Sequence, residues 1–314
     1  MLKRRSVAAA ALVLAGGLGL AAPAFAQETY IPLVSKGFQH QFWQAVKQGA
    51  EQAAKDLKVK VTFEGPETEA MVDKQIDMLS AALAKNPKAI GFAALDSKAA
   101  IPLLKKAQAA KIPVVAFDSG VDSDIPVTTA TTDNLAAAGL AADKMAELIG
   151  KEGEVALVVH DQTSRTGIDR RDGFLNRMKA AYPKIKIVSV QYGGGDQLKS
   201  TEITKSILQG NPNVKGIFGA NEGSAIGVLN GAKEMKRKIV VIGYDSGKQQ
   251  RAAIASGEMA GAITQNPVGI GYKTVEAAVK ALKGEKLPKV IDTGFYWYDK
   301  SNLADPKIAA VLYD

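Results

Sequence analysis

Two short apolar runs end in an aromatic residue followed by aspartate, Pro113-Val-Val-Ala-Phe-Asp118 and Ile239-Val-Val-Ile-Gly-Tyr-Asp245, and both continue as Ser-Gly. A carboxylate accepts hydrogen bonds from neighbouring hydroxyls, and an aromatic ring offers its face to an apolar surface. Two such ends facing one another across a cleft would suit a small polyhydroxy ligand. Each aspartate also suits a plainer role, capping the next helix or closing an Asx turn. The repetition favours the ligand role. Asn86-Pro87 precedes the apolar run 89–96, and Asn211-Pro212 precedes the run 214–221. The spacing between copies is 125 residues from Asn86 to Asn211 and 127 from Asp118 to Asp245.

The runs read as buried strands, apolar and rich in β-branched residues. Strands at 30–34, 59–63, 88–94 and 113–117 alternate with helices at about 42–57, 69–84 and 97–110. Asp133 is placed to cap a helix running to about 149. A second series follows, with strands at 154–159, 185–190, 214–219, 238–243 and 260–264. Its helices are expected at 165–181, 196–208, 222–235 and 247–256, with a last helix at 268–283. A polar tail containing Tyr296-Trp297-Tyr298 ends the chain. Alternation of this kind predicts an α/β fold with parallel sheets covered on both faces. The shared element order predicts two Rossmann-like lobes, with a boundary near 131–133. Ligands of open parallel sheets sit outside the carboxyl ends of the strands, where both aspartates fall.

The chain has 314 residues, 46% hydrophobic and 23% charged, within the range of a soluble globular protein of two domains. Lys3-Arg4-Arg5, the apolar stretch 7–20 and Ala24-Phe25-Ala26 read as a signal peptide over residues 1–26, with cleavage before Gln27. Cleavage would lower the formal charge of +8 by three, to +5. No cysteine is present, so neither a disulfide framework nor a lipidated cysteine is available. A soluble periplasmic protein is the expectation.

Taken together, Pro113-Val-Val-Ala-Phe-Asp118, Thr132-Asp-Asn134, Asp169-Arg-Arg-Asp-Gly-Phe174, Gly219-Ala-Asn-Glu222, Ile242-Gly-Tyr-Asp245 and Ile263-Thr-Gln-Asn-Pro267 carry a resemblance. In this order the chain resembles the periplasmic sugar-binding proteins of ABC importers, in the ribose/galactose-binding group. That resemblance spans about 29–292. It implies a type I periplasmic binding protein, two lobes joined by a three-crossover hinge at about 131–133, 264–266 and 291–293. The N-terminal lobe would then comprise 27–131 and 266–291, and the C-terminal lobe 132–265 and 292–314. It also implies a monomeric receptor that closes on a monosaccharide or sugar alcohol and delivers it to a membrane permease, with no cofactor and no metal.

Position by position, the resemblance makes Asp118 and Asp245 acceptors for sugar hydroxyls and Arg170 a donor through its planar fork. Asn221 and Gln265 would both donate and accept. Phe42, Trp43 and Tyr244 would cover apolar faces, and one of the adjacent pair Phe42 and Trp43 would face the core instead. Phe38 and His40 would lie in the turn facing the cleft. The chain departs from the ribose pattern at Ser119, where an Arg is expected, at Gly193-Gly-Gly195, where a stacking aromatic is expected, and at Gln39-His40-Gln41. A pentose other than ribose, a hexose or a linear polyol fits as well.

Three other classes stand beside this one. A repressor of the same core needs an N-terminal helix-turn-helix, where this chain has a signal peptide, so no nucleic-acid partner is expected. A hydrolase using Asp118 and Asp245 as acid and base has no supporting motif, and Gly243–Lys248 is one residue short of a P-loop. A sensor presenting a sugar or furanose-like signal to a membrane receptor would share this cleft.

Overall fold

A computed structural model describes residues 28–313; the expected signal peptide lies outside the described residues. The chain opens with β1 (Tyr30–Val34), α1 (Gln41–Leu57), β2 (Lys60–Glu64), α2 (Val72–Ala84), β3 (Ile90–Phe92), α3 (Ile101–Ala109), β4 (Val114–Phe117) and β5 (Thr128–Thr131). It continues through α4 (Asn134–Leu148), β6 (Gly153–Val159), α5 (Arg165–Ala181), β7 (Ile185–Tyr192), α6 (Gln197–Gly210), β8 (Val214–Gly219) and α7 (Glu222–Glu234). The last part is β9 (Val240–Tyr244), α8 (Lys248–Ser256), β10 (Gly261–Gln265), α9 (Pro267–Leu282), β11 (Val290–Asp292), β12 (Phe295–Tyr298) and α10 (Pro306–Ala309).

These strands build two six-stranded sheets, ordered β11-β5-β4-β3-β1-β2 and β12-β10-β9-β8-β6-β7. Every neighbouring pair is parallel except β10 and β12, which run antiparallel with Ala262 opposite Tyr298. The α/β fold of two doubly wound sheets is therefore present. Strand β12 corrects the reading of 296–298 as a polar tail. Its Phe-Tyr-Trp-Tyr run has aromatic β-propensity, and Tyr298 is fully buried.

Successive side chains of a strand point to opposite faces, so each sheet feeds two cores. Leu33, Val115 and Phe117 pack on one face with Val46 of α1 and Ile270 and Val275 of α9. Their neighbours Val34 and Val114 pack on the other face with Leu79 of α2 and Leu104 of α3. The second sheet repeats the scheme. Val155, Leu157 and Val159 face Ala141 of α4 and Phe174 of α5, while Ala156 and Val158 face Val228 of α7 and Ile254 of α8. Each fully buried aliphatic or aromatic side chain contributes about 1.5–3 kcal/mol of transfer free energy.

Helices α1 and α9 cross at backbone distance. A Cβ on Gly49 would lie 1.9 Å from the Val268 carbonyl oxygen, and one on Gly271 would lie 1.9 Å from that of Val46. Only glycine at both positions allows the crossing. Helix α9 thus covers the first sheet although it follows the second sheet's parallel strands in sequence. The chain passes between the two layers at 131–134, 265–267 and 292–295. Asp133 caps α4 by accepting from the Ala136 amide at 3.0 Å, as its position predicts.

Candidate functional site

Strand β4 ends at Phe117 and β9 ends at Tyr244, so Asp118 and Asp245 occupy equivalent elbows. The Asp118 amide donates to the Ala130 carbonyl of the next strand at 2.8 Å, and the Asp245 amide donates to that of Ile263 at 2.7 Å. Both adopt left-handed backbone, with φ of 55° and 79°. Aspartate tolerates that region better than most residues, and such strain gathers at functional sites. The elbow turns each carboxylate towards the other lobe, and both residues are 4% exposed.

Between the lobes lies a small cavity. Its wall includes Phe42, Trp43, His40, Asp118, Arg170, Asn221, Asp245 and Gln265, all expected from the sequence. Roomier hollows open on the outer surface, for example among Gln108, Val127 and Ala281. The interlobe cavity is smaller, but there buried charges from both lobes converge.

Several polar groups in the wall are held by a second one. Arg170 Nε donates to Asn134 Oδ1 at 2.8 Å and its NH1 to the Ala220 carbonyl at 3.0 Å. Asp245 accepts from Gln265 Nε2 at 2.7 Å and from the Glu222 amide at 3.0 Å. Gln265 in turn accepts from Thr132 Oγ1 at 2.9 Å, which joins two of the three interlobe passages. Asn221 caps α7 through its Oδ1, accepting from the Ser224 amide at 2.9 Å, which leaves its NH2 group to the cavity wall. Burial pushes Asp118 up to about 7, with Lys36 and Arg170 pulling the other way.

The aromatic residues divide differently from expectation. Phe42 and Trp43 both reach the cavity wall, their rings edge to face at 5.0 Å. They share it because α1 points its first turn into the cleft. Tyr244 is fully buried behind the wall, with Arg170 Cζ 3.8 Å from its ring centroid. Phe117, its counterpart, is also fully buried and packs edge to face on Trp43 at 6.3 Å. Strand alternation explains both: when the aspartate faces the cleft, the preceding aromatic faces the helix layer.

Phe38 and Ser119 lie outside the wall. Phe38 packs edge to face on Phe63 at 5.9 Å. Ser119 is fully buried in the turn after Asp118, and its carbonyl accepts from the Ala94 amide at 3.0 Å. Tyr192, just before the glycines 193–195, also lies outside the wall, its hydroxyl accepting from Arg171 NH1 at 3.1 Å.

A second polar group in the wall was not expected: Lys36, Glu69, His160 and Thr166. Lys36 is 2% exposed and donates to Thr166 Oγ1 at 3.1 Å. It lies 3.8 Å from carboxylate oxygens of both Glu69 and Asp161. Glu69 also accepts from Trp43 Nε1 at 2.7 Å. Burial opposes its ionisation, but Lys36, His40, His160 and the Trp43 bond together bring Glu69 down to about 2. Burial and Lys36 hold His160 neutral against the pull of Asp161. One sequence signal was available. Lys36 and His160 follow the carboxyl ends of β1 and β6, as Asp118 and Asp245 follow those of β4 and β9.

The wall thus offers carboxylate acceptors, ammonium, guanidinium and amide donors, and two ring surfaces. Among the described residues no group of three or more His, Cys, Asp or Glu could hold a metal ion. Two α/β lobes with buried charges converging between them define a ligand-binding protein of the two-lobed kind. The periplasmic binding protein domain matches residues 31–286, and the chain belongs to that family. The D-allose-binding periplasmic protein of Escherichia coli is 31% identical over 281 residues, covering 86% of this chain and 90% of that protein. The ribose import binding protein of Bacillus subtilis is 27% identical over 265 residues, covering 84% and 85%.

Solved structures agree with the architecture. An ABC transporter solute-binding protein from Agrobacterium vitis, bound with α-D-tagatopyranose, superposes with a TM-score of 0.87 at 31% identity. It covers 91% of this chain and 100% of that one. A carbohydrate transporter solute-binding protein from Agrobacterium radiobacter, in complex with D-arabinose, gives 0.87 at 34% identity, covering 91% and 99%. The fold is therefore that of type I periplasmic binding proteins.

Proposed function

We propose that this protein is the periplasmic receptor of an ABC importer. It binds a monosaccharide or sugar alcohol between its lobes, closes by rotation about the three interlobe passages, and presents the ligand to a membrane permease. It works as a monomer without catalysis. The observation that carries this reading is the convergence of Asp118 and Asp245, from equivalent strand ends of different lobes, on one cavity with Arg170 and Lys36. Relatives named for D-allose and ribose, and structures holding tagatopyranose and D-arabinose, support a sugar of five or six carbons.

Asp118 and Asp245 accept from ligand hydroxyls. Arg170, Lys36 and the Asn221 amide donate to ring or hydroxyl oxygens. Phe42 and Trp43 cover the C–H face, and Gln265 holds Asp245 while facing the ligand itself. Residues 27–131 with 266–291 form one moving body, and 132–265 with 292–314 form the other. The test is a thermal-shift screen against pentoses, hexoses and sugar alcohols. A ligand that binds only the folded state stabilises it by about 2.7 kcal/mol at a hundred times its Kd, and raises the Tm. No shift with any sugar, together with no sugar released on denaturation, overturns the reading.

A further inference from the structure

Outside the ligand cavity, the turn before α1 meets the second lobe through a separate set of contacts. Gln39 Nε2 donates to the Gly195 carbonyl at 3.2 Å, and Gln41 Oε1 accepts from the Lys248 amide at 2.7 Å. The glycines facing the turn leave room for it. A Cβ on Gly247 would lie 2.6 Å from Glu222 Oε1 and 2.9 Å from Gln41 Oε1, and one on Gly195 would lie 3.3 Å from His40 Nε2.

Glu222 sits at the centre of this set. The backbone amides of Gln41 and Phe42, the first residues of α1, face its carboxyl and favour its charged form. Helix α1 has no side-chain cap of its own, since His40 supplies none. Those amides are among the orphan donors that every helix start must satisfy. The cap therefore comes from the opposite lobe. The backbone amide of Glu222 meanwhile donates to Asp245 Oδ2 at 3.0 Å. One residue thus links the ligand-facing aspartate of one lobe to a helix of the other.

The carboxyl is only half satisfied. Glu222 Oε2 is buried with no hydrogen-bond partner among the described residues. A buried oxygen left this way is costly when charged and much less so when protonated. The groups around it add little positive charge. Asp245 faces it from the end of β9 and Glu69 from the opposite lobe. His40 lies against Gly223, and the Tyr298 and Tyr313 hydroxyls feel the same carboxyl. On α8, the Lys248 amide is engaged by Gln41, and Arg251 acts on Tyr298. Burial and then Asp245 push Glu222 up to about 8. An open cleft returns the group to water and to ordinary carboxylate behaviour.

We propose that Glu222 is a positioning residue that caps α1 from the opposite lobe on closure, steadies Asp245, and takes up a proton as the cleft closes. The inference rests on the closing-receptor reading above. Because the closed form holds the proton more tightly, affinity is highest at low pH. It falls by up to about tenfold per unit as pH rises from the carboxylate range to about 8.

The experiment is titration calorimetry with D-allose, ribose, arabinose and tagatose in two buffers of different ionisation heat, repeated across pH. The wild-type protein is expected to take up protons on binding and Glu222→Gln to take up fewer, with a flatter pH profile. Asp118 is present in both proteins, so the comparison isolates Glu222. Glu222→Ala, which also removes the titrating carboxyl, serves if the glutamine variant does not fold, and the same loss of uptake is expected. Binding without proton uptake, or equal uptake in wild type and variant, overturns the proposal alone. No binding of any sugar overturns the receptor reading and the proposal with it.

Discussion

The guanidinium carbon of Arg170, on α5, stands 3.8 Å from the ring centroid of Tyr244 at the end of β9. The Tyr244 hydroxyl donates to Asn134 Oδ1 at 2.9 Å, the same oxygen that accepts from Arg170 Nε. Ring, amide and guanidinium therefore form one closed set that fixes where the Arg170 fork points. A desolvated cation–π contact is worth about 2 kcal/mol. Tyr244→Leu is expected to weaken sugar binding roughly 30-fold by calorimetry. Tyr244→Phe keeps the ring and is expected to lose less than tenfold. Equal affinity in the leucine variant would show that Arg170 is aimed by something else.

Asp245 accepts from Gln265 and from the Glu222 amide while facing the cavity. Asp245→Ala strands two buried donors, each worth about 1–3 kcal/mol when left unpaired. Binding is expected to fall more than about a hundredfold, with far-UV circular dichroism unchanged. Unaltered affinity would remove Asp245 from the ligand site.

Glu69 is held down to about 2 by Lys36, His40 and the Trp43 bond from its own lobe and by His160 from the other. For a depressed carboxyl the stabilisation is present above its ordinary value and is lost as pH falls through the folded value. It amounts to about 3 kcal/mol. The Tm should therefore drop between about pH 4.5 and about pH 2. Glu69→Gln keeps an acceptor for the Trp43 indole but removes the charge. It should melt lower at neutral pH and change less in acid. A wild-type-like acid profile in that variant would assign the acid loss to other carboxyls.

Gly271 faces the Val46 carbonyl where α1 and α9 cross. Gly271→Ala forces the helices apart, and overpacking of this kind costs about 1–3 kcal/mol or more. The expected result is a lower Tm by calorimetry, with the sugar affinity of the folded fraction retained. A Tm equal to wild type would mean that the crossing can widen freely.

What could be read from the sequence followed what repeats. Asp118 and Asp245 stood out because whole units recur around them, and hydrophobic periodicity located the helices to within a few residues. Lys36, Glu69 and His160 were missed because a buried lysine or glutamate has no local pattern. Their burial is set by the opposite lobe, which composition does not reveal. Tyr244 was placed in the cleft because it adjoins Asp245, whereas the two-residue period of a strand sends neighbours to opposite faces. Strand β12 escaped because it pairs antiparallel at an edge, outside the alternation that announced the other strands.

The two edge strands β11 and β12 come from residues 290–298, yet each completes a different sheet. Helix α9, which covers the first sheet, also follows all of the second sheet's parallel strands. A ribosome therefore emits the closing pieces of both lobes after every other strand of the two sheets. The N-terminal half cannot settle into its final core while the rest is being made, although its strands are ready early. Long-range pairings of this kind slow folding. The two lobes come of age together, once residues 290–298 have been made, rather than one after the other.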